Sequence, residues 1–262
     1  MRLRTRKEII YFILMFVTAT VLWVLGIVDL LNHPNLFAFT TPGGRFSFSF
    51  PVVVAIFSFL LNGVAITVIR MNGVRLGHQQ LPEIYHMVEK MAGTLGMRGP
   101  DTYVMHGSGA INAFATVFVR RKIIVLYAET IETLSKDELS AIIAHELGHI
   151  YLHHVGFVHW FLTIAEIVVP LKLAFSRARE YSCDRVAYYL VGGIEPFQKA
   201  LIKIQVGKHI GQRIKFVGYL QQARKEESFF SWFSEKWTTH PFIPHRIAAL
   251  ERFTEQNRQE TI

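Results

Sequence analysis

Two histidines and a glutamate are the residues of this sequence best suited to chemistry. His145 and His149 stand four positions apart, and Glu146 follows the first of them. Residues four apart lie on one face of a helix, so both imidazoles can converge on one metal ion. Zinc accepts such nitrogen ligands, and a neighbouring carboxylate can take a proton from an attacking water molecule. The pattern predicts a zinc-dependent hydrolytic site; the alternative is a pair of solvated histidines on an amphipathic helix.

The residues around this motif predict the helix that it requires. Ser135 and Glu138 have the spacing of a capping box, in which each side chain satisfies a free backbone N–H of the first helical turn. The motif is therefore expected well inside a helix. The apolar residues that follow recur at helical spacing: Leu139, Ile142, Ile143, Leu147 and Ile150.

A zinc site needs a third protein ligand. His153 lies eight residues beyond His145, about 12 Å along a helix, which is too far for it to share an ion with both motif histidines. Residues 176–185 predict a helix with Glu180 and Asp184 on one face. There Glu180 could bind the metal while Asp184 hydrogen-bonds a ligand histidine; a surface helix of Arg–Glu pairs is the alternative. The full set of candidates is His153, His154, His159, Glu180, Asp184 and His240.

The composition predicts a membrane anchor ahead of the domain that carries these residues. Hydrophobic residues make up 51% of the 262-residue chain, and the net charge is +8. Two apolar runs, at about 9–31 and 50–69, are long enough to cross a bilayer as helices. No Ala-x-Ala cleavage site ends the first run, so an uncleaved anchor is expected. The single cysteine, Cys183, excludes an internal disulfide.

Basic residues predict the orientation of this anchor. By the positive-inside rule, both ends of the helical hairpin face the cytoplasm, together with everything attached after residue 70. We therefore expect a two-span anchor at 1–70 and a catalytic domain on the cytoplasmic side at 71–262. Four basic residues precede the first run, two follow the second, and the loop between the runs carries one: Arg2, Arg4, Arg6 and Lys7; Arg70 and Arg75; and Arg45.

A small sheet is predicted between the anchor and the motif helix. After a helix from Pro82 to about Gly96, strands are expected at 102–105, 113–119 and 123–127. The residues Asn112-Ala113-Phe114-Ala115 open the second strand, which could be an edge that accepts an extended peptide as an additional strand. An ordinary sheet edge is the alternative. The predicted fold class is α+β and mostly helical.

A third apolar stretch, 155–175, follows the motif. It is long enough to span a bilayer, but it contains His159, Glu166, Pro170 and Lys172. One complete crossing would place its two ends on opposite sides of the membrane, away from a shared metal site. We therefore expect an interfacial or re-entrant element broken near Pro170, with packing inside the soluble domain as the alternative.

Three motifs occur in a fixed order: His145 to His149, Arg177 to Asp184, and Thr239-His240-Pro241 followed by Arg246-Ile247. Together they resemble the HtpX-like and CAAX-prenyl-endopeptidase group, the integral-membrane gluzincin metallopeptidases of peptidase family forty-eight. The resemblance runs from about residue 81 to residue 250. It implies a zincin-like domain that binds one Zn²⁺ through His145, His149 and Glu180. It also implies that Glu146 is the general base and that Asp184 supports the ligands.

The resemblance implies roles for further residues. Asn112, with Ala113 and Phe114, matches the edge strand that holds the substrate backbone. His240 and Arg246 match positions that steady the substrate or the developing oxyanion. The alternatives are that His240 belongs only to a turn and that Arg246 only pairs with a carboxylate.

Two departures bear on which branch of the group this chain resembles. Cys183 stands where the family often has alanine, and a single apolar stretch follows the motif where HtpX has two spans. The CAAX endopeptidases have more spans than this length allows. An HtpX-like protein of a bacterial cytoplasmic membrane therefore fits better than an enzyme acting on prenylated proteins.

These observations predict a membrane-anchored zinc endopeptidase acting on polypeptides, including misfolded or membrane proteins. A catalytically latent zinc-binding scaffold that serves a partner is the alternative, and the intact Glu146 counts against it. Nucleic acid is not expected as a partner, because the basic residues form no long basic helix or arm with interleaved aromatics. A motif inside the bilayer is disfavoured by the charged residues that approach it, Glu129, Glu132, Lys136, Asp137 and Glu138.

Overall fold

The computed structural model describes residues 3–32 and 49–259. The loop expected between the two apolar runs, including Arg45, lies outside the described residues, as does Arg2. The predicted class is confirmed: the described chain is mostly helical with one small sheet. In chain order its elements are α1 (Arg6–Asn32), α2 (Ser49–Asn72), β1 (Val74–Arg75), α3 (Pro82–Thr94), β2 (Asp101–Met105), β3 (Ala113–Phe118), β4 (Arg121–Tyr127), α4 (Ala128–Thr133), α5 (Lys136–Tyr151), α6 (Phe157–Leu162), a 3₁₀ helix (Thr163–Ile167), α7 (Val169–Val191), α8 (Glu195–Val206), α9 (Lys208–Gly211), α10 (Phe216–Lys225), α11 (Phe229–Lys236) and α12 (Ile243–Gln259).

The two predicted apolar runs form the long helices α1 and α2. Helix α1 and residues Val52–Asn72 of α2 are each long and apolar enough to cross a membrane. Most of their large apolar side chains are exposed, which a soluble protein would avoid. Their membrane insertion and the predicted boundary near residue 70 stay predictions.

The third apolar stretch packs against both of these helices. It is broken where the sequence predicted: α6 and the 3₁₀ helix end at Ile167, and α7 begins with Pro170 in its first turn, where the missing N–H costs nothing. Trp160 Nε1 donates to the carbonyl of Ala55 at 2.9 Å, and Trp23 Nε1 donates to that of Phe161 at 3.0 Å. The stretch is therefore docked on α1 and α2; its entry into a bilayer stays a prediction.

The sheet has the strand order β1-β2-β4-β3, with β2 and β4 parallel and the other pairs antiparallel. Among the described residues β3 pairs with β4 alone, so its other edge is open. The hairpin turn lies at Val119 and Arg120, one residue earlier than the sequence predicted, and β4 begins at Arg121. Val119 adopts a left-handed φ of 57°, which is uncommon for a β-branched residue.

Helix α5 is the centre of the domain. One side packs against α3 and the sheet through Ile143 and Leu147, which are fully buried and contribute about 1.5–3 kcal/mol each. The other side packs against α7, where Gly148 permits close approach. A Cβ on Gly148 would lie 3.2 Å from the Cα of Cys183. Small residues at this crossing therefore bring the backbones of α5 and α7 together.

Candidate active site

The capping box predicted for the motif helix is present. Ser135 Oγ accepts from the backbone N–H of Glu138 at 3.4 Å, and Glu138 Oε2 accepts from the N–H of Ser135 at 2.8 Å. Helix α5 therefore begins at a defined residue and carries its motif in the third and fourth turns. His145 and Glu146 are buried there, 6% and 8% exposed.

The two motif histidines and Glu180 of α7 converge on one point. His145 Nε2 lies 3.4 Å from Glu180 Oε2, and His149 Nε2 lies 3.5 Å from Glu180 Oε1. Zinc bonds of about 2.0–2.1 Å in a tetrahedral site place ligand atoms about 3.3 Å apart. The three side chains therefore fit one zinc ion.

Asp184 lies one turn beyond Glu180 and holds the other nitrogen of His145. His145 Nδ1 is 3.0 Å from Asp184 Oδ1. Burial alone would lower the pKa of His145, but its hydrogen bonds to Asp184 and Glu180 outweigh this and raise the pKa to about 9. Arg246 of α12 adds a fork, from Nη2 to Asp184 Oδ1 at 2.6 Å and from Nε to Oδ2 at 3.0 Å.

The carboxylate of Glu180 is held ionised in this site. Burial would raise its pKa, but hydrogen bonds from His145 and His149 and the positive charge of Arg246 outweigh burial and hold it well below its ordinary value. Arg246 Nη1 lies 3.4 Å from Glu180 Oε2. An ionised carboxylate beside two imidazoles is a donor set suited to zinc.

The second motif histidine is held by a different pair of residues. His149 Nδ1 faces His154 Nδ1 at 3.3 Å, and His154 Nε2 lies 2.9 Å from Glu8 Oε1, on the first helix of the chain. His154 is 3% exposed and Glu8 is fully buried. Burial lowers the pKa of His154 to about 3, so its ring is neutral at physiological pH.

Glu146 lies in the same cleft as the three converging side chains. The cleft encloses about 840 Å³ between the start of β3, helix α5 and residues of α10 and the 240–246 segment. Burial raises the pKa of Glu146, and this outweighs the opposing effect of His149 and His145. A carboxylate whose pKa is moved towards neutrality suits a general base.

The remaining predicted residues stand at the border of the cleft. His240 Nε2 lies 3.7 Å from Glu180 Oε1, and the His240 side chain is 65% exposed, so it can meet a bound molecule. Ala113 and Phe114 line the cleft beside Asn112, whose Oδ1 accepts from the N–H of Ala113 at 2.9 Å.

The family profile described as "Peptidase family M48" matches residues 78–158 and 155–254, which together are more than half of the chain. The chain belongs to peptidase family M48. The matched segments contain every residue of the converging site, and the predicted family and enzyme class, a metallopeptidase, are confirmed.

Individual M48 relatives are distant in sequence. The chain is 28% identical over 169 residues to the plastoglobule-localized metallopeptidase 48 of Arabidopsis thaliana, covering 58% of this chain and 49% of the relative. It is 26% identical over 237 residues to a protease HtpX homolog of Streptococcus pyogenes serotype M5, strain Manfredo, covering 70% of this chain and 78% of the relative. The chain thus spans about half the length of the plant relative.

A crystal structure of Ste24p from S. mikatae has a similar fold. The two structures superpose with a TM-score of 0.52 at 18% identity, covering 90% of this chain and 64% of Ste24p. Family, fold and the two apolar helices together identify a membrane-associated metallopeptidase of family M48.

Cys183 offers this M48 site another donor atom. Donor atoms of His145, His149 and Cys183 lie within 4.8 Å of one another. However, the Sγ of Cys183 lies 3.4 Å from Nδ1 of His154, and His154 contacts Nδ1 of His149 rather than the Nε2 atom that faces Glu180. Glu180, already ionised and facing both Nε2 atoms, fits the third position better.

The sequence offers His154 as a candidate ligand, whereas Glu8 was not among the predicted site residues. The structure places His154 behind His149, not among the converging atoms. Of the other candidates, His153 is exposed, and His159 lines the cleft but has Nε2 4.0 Å from Glu166 Oε1 and is not among the converging atoms. A signal for Glu8 was present, because an acid at the border of an apolar run is costly unless it has a partner.

Proposed function

We propose that this M48 chain is a zinc-dependent endopeptidase, with zinc bound by His145, His149 and Glu180. The observation that supports it most is the convergence of both Nε2 atoms on the two oxygens of Glu180, at 3.4 and 3.5 Å. When bound, zinc would supply a Lewis acid that polarises a carbonyl and lowers the pKa of water.

The chain's own residues would carry the proton transfers. Glu146 would accept a proton from the attacking water and return it to the leaving amine, and its burial favours this exchange by raising its pKa. His240, exposed at the border of the cleft, would donate to the developing oxyanion. Because Arg246 already binds Asp184 and Glu180, we assign it the positioning of these two carboxylates rather than direct contact with substrate.

The open edge of β3 would hold the substrate in an extended form. The N–H of Tyr127 donates to the carbonyl of Asn112 at 3.1 Å, so Asn112 faces β4. The direction of the backbone N–H and C=O groups alternates along an antiparallel pair. The backbone groups of Phe114 therefore also point towards β4, whereas those of Ala113 and Ala115 point towards the open edge. A peptide added at this edge would lie along the cleft, beside the proposed zinc ligands.

The substrates and the compartment are proposed on the relatives and the anchor. Relatives named as HtpX homologs are proteases. The two apolar helices are long and apolar enough to cross a membrane and would hold this domain there. We propose unfolded or membrane polypeptides as substrates and a bacterial cytoplasmic membrane, with the domain facing the cytoplasm. Basic residues that flank the two helices support this orientation.

Metal analysis of ligand variants tests the proposed site. Detergent-purified wild type, Glu180→Ala and Cys183→Ala would be compared for zinc content after dialysis against a weak chelator. We expect one zinc per chain in wild type and Cys183→Ala, and a large loss in Glu180→Ala. Zinc retained by Glu180→Ala but lost by Cys183→Ala would replace Glu180 with Cys183 as the third ligand.

A further inference from the structure

The two motif histidines are supported in different ways. His145 Nδ1 meets a carboxylate directly, Asp184 Oδ1 at 3.0 Å, and both partners belong to the catalytic domain. His149 Nδ1 instead meets a second histidine, His154, which in turn meets Glu8 on α1. Ligand histidines normally pass their other N–H to a carboxylate or a carbonyl, which fixes the ring and its tautomer. Here that carboxylate comes from an apolar, membrane-type helix.

The tautomers of this chain of residues follow from the proposed site. If His149 binds metal through Nε2, its proton is on Nδ1 and it donates to Nδ1 of His154. His154 then carries its own proton on Nε2 and donates to Glu8 Oε1 at 2.9 Å. The Sγ of Cys183 lies 3.4 Å from the same His154 Nδ1, and a weak thiol donor is compatible with an accepting nitrogen.

Helix α1 is fastened to this part of the domain at several points. Arg4 Nη1 pairs with Glu8 Oε1 at 3.0 Å, and Arg4 also donates to the carbonyl of Leu152, two residues before His154. The N–H of Thr5 donates to Ser182 Oγ on α7 at 3.0 Å. Residues at and just before the start of α1 therefore contact both the loop that carries His154 and the helix that carries Glu180.

We infer that Glu8 and His154 are positioning residues through which the first helix orients the metal-ligand histidine His149. The inference rests on the proposed zinc site. The catalytic domain then depends on its anchor for the geometry of the metal centre, not only for attachment to a membrane.

Zinc affinity of the full chain tests this inference. Glu8→Gln keeps the shape of the side chain and removes its charge. His154→Phe removes the ring nitrogens that connect His149 with Glu8. Glu166→Gln is the matched control, because Glu166 is an acid paired with Lys172 in the neighbouring stretch. By competition with a chelator, we expect zinc binding about 10–100-fold weaker in Glu8→Gln and His154→Phe, and unchanged in Glu166→Gln. The double variant should be no weaker than the weaker single variant, because both act through His149.

Cobalt substitution separates positioning from general stability. The visible spectrum of bound Co²⁺ reports ligand geometry, so Glu8→Gln should shift it relative to wild type. Wild-type zinc affinity and cobalt spectrum in Glu8→Gln, with zinc lost in Glu180→Ala, would overturn this inference and leave the proposed site intact. Zinc retained in Glu180→Ala would instead overturn the proposed site.

A second, independent observation concerns an aromatic surface on α11. Five large side chains on and just after this helix are exposed by 46% to 78%, although most aromatics of this size are buried in soluble domains. We call them the aromatic surface: Phe229, Phe230, Trp232, Phe233 and Trp237.

The position of this surface relative to α1 can be derived from its attachment. Arg177 of α7 donates through Nη1 to the carbonyls of Lys236 and Thr238 at 2.7 and 2.8 Å, which fixes the end of α11. Helices α1 and α7 run antiparallel, since Thr5 meets Ser182 whereas the rings of Phe12 and Phe175 lie 6.2 Å apart.

Arg177 therefore lies level with the first residues of the apolar run of α1, which begins at Ile9. With a rise of 1.5 Å per residue and the length of the Arg177 side chain, the end of α11 lies within roughly 10 Å of the level at which α1 would enter a bilayer. Aromatic residues with flanking lysine or arginine favour this interfacial zone. Lys225 precedes the aromatic surface and Lys236 lies within it, and the acidic residues Glu226, Glu227 and Glu235 offset their charge, so apolar burial and not charge is the main attraction.

We propose that the aromatic surface of α11 lies in the headgroup and upper acyl region of the bilayer that α1 and α2 cross. The test uses the full chain in phosphatidylcholine nanodiscs with or without bromine at shallow acyl positions. Trp23→Phe with Trp160→Phe leaves Trp232 and Trp237 as the reporting tryptophans. In the control, Trp232→Phe with Trp237→Phe leaves Trp23 and Trp160, which report direct contact of the anchor with the bilayer.

We expect brominated lipid to quench Trp232 and Trp237, and the further changes Phe229→Ser and Phe230→Ser to reduce that quenching. Emission unaffected by brominated lipid, while the Trp23 and Trp160 control is quenched, would overturn the proposal. A blue shift that depends on protein concentration, or on added unfolded casein, would also overturn it, by assigning the surface to a second copy or to substrate.

Discussion

Arg246 and Asp184 form a two-pronged pair, at 2.6 and 3.0 Å, although 62 residues separate them in the sequence. Both side chains are buried, and the same Asp184 oxygen lies 3.0 Å from Nδ1 of His145. Arg246 of α12 therefore holds Asp184 of α7, and Asp184 in turn orients His145, a proposed metal ligand on α5. A planar guanidinium is required for this fork, because an ammonium group donates from a single point.

Replacing Arg246 with lysine should weaken zinc binding by about 10–100-fold, the usual effect of removing support from a ligand histidine. Lysine keeps the charge but cannot bind both oxygens of Asp184. Chelator competition measures the affinity, and Arg252→Lys, at an exposed position of the same helix, is the matched control. Equal zinc affinity in Arg246→Lys and Arg252→Lys would contradict the positioning role.

The pKa of His145 predicts a pH dependence of both stability and zinc binding. Hydrogen bonds to Asp184 and Glu180 raise this pKa from 6.5 to about 9 against the effect of burial. A raised pKa in the folded state stabilises the zinc-free protein fully below pH 6.5, and this stability is lost as pH rises through about 9. Zinc must displace the same proton, so its apparent affinity should rise over this window.

Thermal unfolding of EDTA-treated protein at pH 7, 8 and 9 measures the expected fall in stability with rising pH. Zinc titration at the same pH values measures the expected rise in apparent zinc affinity. In Asp184→Asn the hydrogen bond to an ionised partner is lost, so both trends should flatten. An apparent zinc affinity that stays constant between pH 7 and 9 in wild type would show that His145 carries no proton for zinc to displace.

Gly148→Ala should destabilise the domain and lower its zinc content. The added Cβ would lie 3.2 Å from the Cα of Cys183 and 3.2 Å from the Cβ of Val186, so α5 and α7 must separate. Overpacking of this kind costs about 1–3 kcal/mol and moves two proposed ligands away from the third. Gly218→Ala is the control, because its Cβ meets nothing within 4 Å, and it should be neutral or stabilising by up to about 1 kcal/mol. Urea unfolding distinguishes the two variants.

Ala115→Pro tests the open edge of β3. Proline is tolerated where the N–H points away from the sheet, so fold and zinc content should be retained. Loss of that N–H should lower kcat/KM for casein roughly tenfold, the effect of about one backbone hydrogen bond. Ala115→Val keeps the N–H and is the control. Equal cleavage by the two variants would exclude this edge as the substrate site.

Local sequence patterns were enough to predict the elements that carry the chemistry. The capping box of Ser135 and Glu138 and the apolar spacing after it defined α5, and the length of the two apolar runs defined α1 and α2. The break near Pro170 was also predicted, because proline lacks the N–H that a continuous helix requires. These features depend on neighbours within a few residues.

Contacts between segments that are distant in the sequence could not be predicted from these local patterns. Glu8 and His154 are 146 residues apart, and neither has a neighbour in sequence that reveals the other. The partner of Arg246 depended on how α12 crosses α7. Strand β1, of two residues, is too short for any periodicity, and it forms because β2 offers an edge.

Cleavage of casein by detergent-purified protein, comparing wild type with Glu146→Gln and assaying zinc in both, tests the central claim most directly. We expect cleavage by wild type alone, with equal zinc in the two proteins, because Glu146 moves protons and does not bind the metal. Zinc in both without cleavage by either would favour a latent or scaffolding protein. Equal cleavage by both, or absence of zinc from both, would contradict the proposed mechanism.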